Sequence, residues 1–223
     1  KILVFTATFN ERHNIETWIE KVRSLEIACH ILVVDDNSPD GTGEYLDQIA
    51  SEDPDFHIVH RPEKLGIGTA HKLAIEYSLF HGYDVLVTMD ADLSHDPLEI
   101  PKLLDALKDV DFVIGSRYCP GGSSEYTGYR RYISLLANRL GNVLLGIPTR
   151  ECTTSFRGFR LDALRKSGIS NFTNSGYSFF METIFSIHQA ELRIAEIPIQ
   201  FKDRYHGESK IPRFEIINSA SKL

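Results

Sequence analysis

Short apolar runs alternate along this chain with stretches in which apolar side chains return every third or fourth position. Lys1-Ile2-Leu3-Val4-Phe5, Ile31-Leu32-Val33-Val34, Phe56 to His60, Val85-Leu86-Val87-Thr88 and Val110 to Gly115 have the length and composition of buried strands. Between them, Ile15, Trp18, Ile19 and Val22 fall at helical spacing. So do Tyr45, Leu46 and Ile49, then Ala70, Leu73, Ala74 and Tyr77, then Leu103, Leu104 and Leu107. Pro97 suits the first turn of the last of these helices. Strands alternating with helices predict βαβ units, hence an α/β fold with a mostly parallel sheet flanked by helices. Right-handed crossovers then bring the strand ends to one edge of the sheet.

After residue 115 the pattern is less regular. Ser116 to Arg131 is rich in Gly, Ser, Tyr and Arg and reads as a long loop of the kind that carries function. Tyr132 to Leu145 reads as a helix. Its Ile133, Leu136, Leu140, Val143 and Leu144 would suit either a core helix or one lying at a membrane interface. Thr153 to Leu161 reads as extended, Tyr177 to Gln189 as a helix, Leu192 to Phe201 as a strand despite Pro198, and Arg204 to Lys210 as a loop tip. No linker or repeat divides the chain. Residues 1–223 are expected to form a single domain with a regular half, 1–115, and a less regular half, 116–223.

The net charge of −7 argues against wholesale nucleic-acid binding, so any anion site must be a local basic cluster. Cys29, Cys119 and Cys152 are odd in number and widely spaced, which fits ordinary thiols rather than a disulfide framework or zinc spacing. No apolar run reaches the ~18–20 residues of a membrane span, and no signal peptide is visible.

Candidate chemistry gathers at the predicted strand ends. The fourth strand runs into Met89-Asp90-Ala91-Asp92-Leu93-Ser94, with two carboxylates one residue apart. Ligands of open α/β sheets sit beyond such ends. The two acids suit either a divalent cation or an Asx turn. Asp35-Asp36 ends the second strand, where carboxylates can accept from ribose hydroxyls or base N–H groups, while Asp40-Gly41 suits a turn. Gly66-Ile67-Gly68 lacks the third glycine of a dinucleotide fingerprint and is read as close helix–sheet packing. Arg117, Arg130, Arg131, Arg204 and Lys210 lie on two predicted loops and together suit phosphate recognition. Glu182 is read as either a surface residue or a buried functional acid. His95 and His206 are read as structural or solvated.

Taken together, these stretches resemble the family 2 glycosyltransferases of GT-A fold, of the dolichyl-phosphate (polyprenyl-phosphate) mannosyltransferase type. The matching residues are Thr8-Phe9-Asn10-Glu11, Val34-Asp35-Asp36-Asn37-Ser38-Pro39-Asp40-Gly41-Thr42, Met89 to His95, Gly115-Ser116-Arg117-Tyr118, Thr154-Ser155-Phe156-Arg157 and Gly207-Glu208-Ser209-Lys210. The resemblance implies a GT-A (Rossmann-like) catalytic domain with a nucleotide-sugar half, 1–115, and an acceptor half, 116–223. It implies transfer of mannose from GDP-mannose to a polyprenyl or dolichyl phosphate, with inversion. A UDP-glucose or UDP-N-acetylglucosamine enzyme, or a non-catalytic nucleotide-sugar- or lipid-binding subunit, are the alternatives. Ala7, Phe9, Glu11, Val34 and Asp36 would hold the nucleoside. Asp90, Ala91 and Asp92 would meet the ribose, diphosphate and metal, with Mn²⁺ or Mg²⁺ on Asp90, Asp92 and Ser94. Arg117, Arg204 and Lys210 would hold the diphosphate and acceptor phosphate, with Arg131 in the acceptor loop. Asp92, Arg117, Arg131, Arg204 and Lys210 are thus the expected catalytic set. Ala7, Phe9 and Ser94 depart from the residues the family often has, Pro, Tyr and Gln. The implied location is the cytoplasmic face of a membrane, the endoplasmic reticulum in a eukaryote or the plasma membrane in a prokaryote. An anchor beyond residue 223, into which Phe214, Ile216 and Ile217 would lead, or an anchoring partner subunit, is also implied.

Overall fold

The computed structural model describes residues 1–125, 132, 134–136, 138, 139, 141, 143, 146–167, 172 and 174–202. The regular half alternates as expected: β1 (Ile2–Thr8), α1 (Arg12–Arg23), β2 (Cys29–Asp35), α2 (Thr42–Glu52), β3 (Phe56–His60), α3 (Ile67–Phe80), β4 (Val85–Thr88), α4 (Ile100–Ala106) and β5 (Phe112–Ser116). The second half contributes β6 (Ser123–Ser124), β7 (Arg157–Arg160), α5 (Leu161–Ser167), α6 (Ser178–Gln189), β8 (Ile194–Pro198) and β9 (Gln200–Phe201). Pro97 opens a 3₁₀ turn, Pro97–Glu99, that feeds α4, and Asp96 Oδ1 accepts the Leu98 N–H at 3.2 Å.

Seven strands form one sheet in the order β3-β2-β1-β4-β7-β5-β8. The β3, β2, β1 and β4 pairings are parallel, as is β5 with β8, while β7 runs antiparallel to both β4 and β5. β6 and β9 make a separate parallel pair. Both faces of the sheet are covered. On one side α3 and α6 enclose Leu3, Phe5, Leu32, Leu86, Phe179 and Ile184; on the other α1 and α4 enclose Val4, Ile15, Trp18, Ile31, Val87 and Leu103. Burial on both faces explains why the strands read as unbroken apolar runs rather than alternating ones.

The parallel register aligns the ends that matter. Thr8 pairs with Asp35, and Asp35 with His60, so the loops after β1, β2 and β3 leave from one level. Val34 pairs with Ala7 and is fully buried. Its side chain belongs to the core, so what it offers to the strand edge is its backbone. The Gly66 to Gly68 reading is corrected. These glycines pack on the start of α6 and the segment leading into it, not on the sheet: a Cβ on Gly66 would lie 2.6 Å from Ser175 O, and one on Gly68 2.7 Å from Phe179 Cβ.

Candidate active site

The acids after β2 are held by the protein. Asp35 Oδ1 accepts from Thr8 Oγ1 at 2.7 Å and Ser38 Oγ at 2.6 Å, and Asp35 Oδ2 accepts the Ser38 N–H at 2.9 Å. Asp36 is buried against Arg61, whose Nε donates to Oδ1 at 2.5 Å. Arg61 also donates to Thr69 Oγ1 at 2.6 Å and Gly66 O at 3.3 Å, tying β2 to the start of α3. Asp40 closes the next turn, accepting from Arg12 N at 3.0 Å, Thr42 N at 3.1 Å and Thr42 Oγ1 at 2.5 Å. Burial works to raise its pKa, but these donors bring it below the ordinary carboxylate value. Gly41 supplies the left-handed φ of +84° that the turn demands. Glu11 joins the same network, accepting from Asn14 Nδ2 at 2.8 Å, while its N–H donates to Thr42 Oγ1 at 3.2 Å. Phe9 lies near this edge, with Lys64 Nζ 5.2 Å from its ring centroid.

The acids after β4 are held differently. Asp92 is buried and its Oδ1 accepts from the N–H of Ser94 at 3.1 Å and from Ser94 Oγ at 2.5 Å. Ser94 Oγ thus serves as a cap on Asp92. Leu93 between them has a φ of +61°, an uncommon left-handed conformation for a bulky residue and the kind of strain found at functional turns. The Asp90 side chain keeps 37% of its surface exposed, with His95 Nδ1 3.7 Å from its Oδ2. His95 is buried. Desolvation lowers its pKa, with Asp90 and Asp92 pulling the other way, so the ring is neutral near pH 7. Ala91 is buried between the two acids.

Arg117 follows β5 and is buried in a bidentate pair with Glu151, Nε to Oε2 at 2.7 Å and Nη2 to Oε1 at 2.8 Å. Nη2 also reaches Thr153 Oγ1 at 3.0 Å. Burial works to raise the Glu151 pKa, but Arg117 and Thr153 hold it below the ordinary value. Arg157 is buried without a carboxylate: it donates to Thr154 O at 2.8 Å, Phe180 O at 2.9 Å and Cys152 O at 2.9 Å. Burial lowers its pKa to about 9. Together the two arginines fix the 150–157 segment. That segment in turn meets the Asp90–His95 turn through Thr154 Oγ1 and His95 Nε2, 3.2 Å apart.

A second link to that turn comes from the end of the described chain, where the Lys202 N–H donates to Ser94 O at 3.1 Å. Arg130, Arg131, Arg204, His206, Lys210, Phe214, Ile216 and Ile217 lie outside the described residues. Ala7, Phe9, Glu11, Asp36, Asp90, Ala91, Asp92 and Ser94 lie on or beside the carboxyl edge of β1, β2 and β4. Glu182 is a local cap, its Oε2 accepting from the N–H and Nδ2 of Asn174, both at 3.0 Å. Sequence reasoning missed Arg61 and Glu151. The signal for each was a partner needing its opposite charge: Asp36 at a crowded strand end, and Arg117 beside the sheet.

Among the described residues no three His, Cys, Asp or Glu side chains form a self-sufficient metal cage. Two carboxylates at a strand end, one partly exposed, do fit a hard cation that takes its remaining ligands from a substrate diphosphate.

A mostly parallel seven-stranded sheet flanked by helices, with one antiparallel strand inside it, is a GT-A-type α/β architecture. The chain belongs to glycosyltransferase family 2, whose family model, Glycosyl transferase family 2, matches residues 3–168. It is similar to an undecaprenyl-phosphate mannosyltransferase of Micrococcus luteus, 38% identical over 212 residues, covering 95% of this chain and 87% of that one. It is also similar to a polyprenol monophosphomannose synthase of Mycolicibacterium smegmatis, 40% identical over 214 residues, covering 95% and 81%. Its fold matches a crystal structure of glucosyl-3-phosphoglycerate synthase from Mycobacterium tuberculosis in complex with Mn²⁺, UDP and phosphoglyceric acid. That match has a TM-score of 0.69 at 21% identity, covering 100% of this chain and 78% of that one.

Proposed function

We propose that this chain is an inverting hexosyltransferase that moves mannose from GDP-mannose to the phosphate of a polyprenyl phosphate at a membrane surface. The observation that carries the proposal is the 40% identity, over 95% of the chain, with a polyprenol monophosphomannose synthase. The site's chemistry supports it. Glu11, Asp36, Ala7 and Phe9 line the nucleoside side of the edge, and Asp90 and Asp92 the diphosphate side. Asp90 and Asp92 would hold Mn²⁺ or Mg²⁺, which when bound stabilises negative charge on a departing diphosphate. Ser94 acts through Asp92, whose oxygen it fixes.

A phosphate monoester has a second pKa of about 6 and is mostly ionised near neutral pH. Its oxygen is already a nucleophile, so no general base is needed. That oxygen attacks the sugar carbon, the bond to the diphosphate breaks on the opposite face, and GDP departs with the bonding electrons. Arg131, Arg204 and Lys210 are proposed to hold the phosphates. Arg117 supports them by keeping the 150–157 segment in place through Glu151.

The membrane side of the reading has support in the helical positions between 132 and 143. Tyr132, Leu136 and Val143 fall on one helical face and are 74%, 58% and 73% exposed, while Asn138 is buried and bonds the Cys152 N–H at 2.7 Å. Apolar residues facing outward suit a headgroup–acyl boundary, where the lipid tail of the acceptor must lie. Among the described residues no helix is long and apolar enough to cross a membrane. The anchor, the cytoplasmic face and any anchoring subunit belong to the same proposal.

The test is a panel of GDP-mannose, UDP-glucose and UDP-N-acetylglucosamine with Mn²⁺ or Mg²⁺ and a short polyprenyl phosphate. Transfer from GDP-mannose, with the product's anomeric configuration opposite to the donor's, is expected. Transfer only from a UDP-sugar overturns the donor, a product of unchanged configuration overturns the displacement, and nucleotide binding without transfer indicates a binding subunit.

A further inference from the structure

The His95 side chain reaches from the Asp90–His95 turn into the second half of the molecule. Its ring is stacked on Phe156, centroids 5.6 Å apart and planes at 26°, and meets Phe201 edge-on at 5.1 Å. These contacts fix the plane of the imidazole and so the direction in which each ring nitrogen points. Nε2 is 3.2 Å from Thr154 Oγ1, and that hydroxyl accepts the Phe156 N–H at 3.2 Å. An oxygen that accepts one N–H still has a proton of its own to donate, and donation to Nε2 leaves Nδ1 as the protonated nitrogen. A neutral imidazole then carries its single proton on Nδ1. Nδ1 is buried with no hydrogen-bond partner, and Asp90 Oδ2 stands 3.7 Å from it, just beyond bonding distance. The opposite tautomer would aim a bare lone pair at a carboxylate.

We propose that His95 is a positioning residue for Asp90: its Nδ1–H closes onto Asp90 Oδ2 and sets the carboxylate's orientation toward an incoming nucleoside diphosphate and its cation. The proposal rests on the nucleotide-sugar reading of this edge. The ring is held by Phe156, Phe201 and Thr154, so the closure falls to the partly exposed Asp90 side chain. A buried donor left unsatisfied before closure and satisfied after it favours the closed state. It also ties the donor edge to the 150–157 segment, since Thr154 is both the ring's anchor and a neighbour of Arg157, whose Nε bonds Thr154 O at 2.8 Å.

Two measurements test this in the whole chain. The first needs no ligand: ¹⁵N NMR of the histidine side chains is expected to find His95 as the Nδ1–H tautomer, and an Nε2–H tautomer overturns the proposal. The second is calorimetric binding of GDP in the presence of Mn²⁺ to wild type and three variants. His95→Phe keeps a ring for Phe156 and Phe201 but loses both nitrogens, and is expected to weaken binding about tenfold or more, the scale of a hydrogen bond to a charged group. His95→Asn places an amide N–H near the Nδ1 position and is expected to recover most of that loss. His95→Gln places it near Nε2 and is not. Equal binding by the Phe and Asn variants, or wild-type binding by the Phe variant, overturns the positioning role while leaving the nucleotide-sugar reading intact. A wild-type chain that binds neither GDP nor UDP with Mn²⁺ overturns that reading, and the role of His95 with it.

Discussion

The acids after β2 and the acids after β4 look alike in sequence and are used differently. Each pair follows a buried strand, and each strand neighbours β1 in the sheet. After β2 the protein supplies its own donors: Thr8 and Ser38 satisfy Asp35, and buried Arg61 neutralises Asp36. After β4 the turn leaves Asp90 more than a third exposed beside a neutral histidine, and places a strained Leu93 between Asp92 and Ser94. A carboxylate is costly to bury without a cation. Where the cation is internal, as for Asp36, the charge is balanced within the fold and the acid can offer a ligand only hydrogen-bond acceptors; at the β4 edge, where Asp90 keeps carboxylate surface open, the charge itself can meet a ligand's cation.

The largest expected effect that sharpens this contrast lies in the layer supporting the second pair. Arg157→Ala removes the donor for three buried carbonyls and should destabilise the protein by about 3–5 kcal/mol, read by denaturant unfolding. A loss below about 1 kcal/mol would mean the 150–157 segment is held by something else. Arg61→Ala leaves Asp36 buried without its cation and should cost about 3 kcal/mol. Asp36→Asn made in the same chain should recover part of that loss, because the uncompensated charge is gone. If the double variant were no more stable than Arg61→Ala, Arg61 would not be serving as the internal cation. Asp40→Ala removes an acceptor for the first N–H groups of α1 and α2 and should cost about 1–2 kcal/mol with transfer activity retained.

The smallest effect is in pH. Asp40 and Glu151 titrate in the folded protein below their ordinary values of 3.8 and 4.5. The stability they contribute is complete above those values and is lost as pH falls through the lower, folded ones. The unfolding midpoint should therefore drop steadily on acidification below about pH 4.5, and more gently in Asp40→Asn, as thermal scans across that range would record.

The regular half was legible because parallel strands buried on both faces announce themselves as apolar runs, and the turn chemistry of Asp40-Gly41 is local. The antiparallel direction of β7 was not legible. Its four residues, Arg157–Arg160, contain two arginines and a glycine, and strand direction depends on where the chain has come from rather than on the run itself. The candidate acids were found because charge at a strand end stands out. Arg61 and Glu151, the partners of Asp36 and Arg117, were not, since each sits in an ordinary loop and acquires meaning only when folding brings it to its opposite charge. The pairing of Arg117 with Glu151 was likewise not legible, since the two lie 34 residues apart and meet only once the chain is folded.

The contrast between the two acid pairs is tested most directly by GDP binding with and without Mn²⁺ to wild type, Asp92→Asn and Asp35→Asn. Asparagine keeps the Oδ1 acceptor that Ser94 needs, so Asp92→Asn should unfold within a few degrees of wild type. Mn²⁺ should tighten GDP binding in wild type at least tenfold, and Asp92→Asn should lose this gain. Asp35→Asn should keep it while unfolding at a lower temperature. Retention of the full Mn²⁺ effect in Asp92→Asn would contradict the assignment of the β4 acids to the ligand.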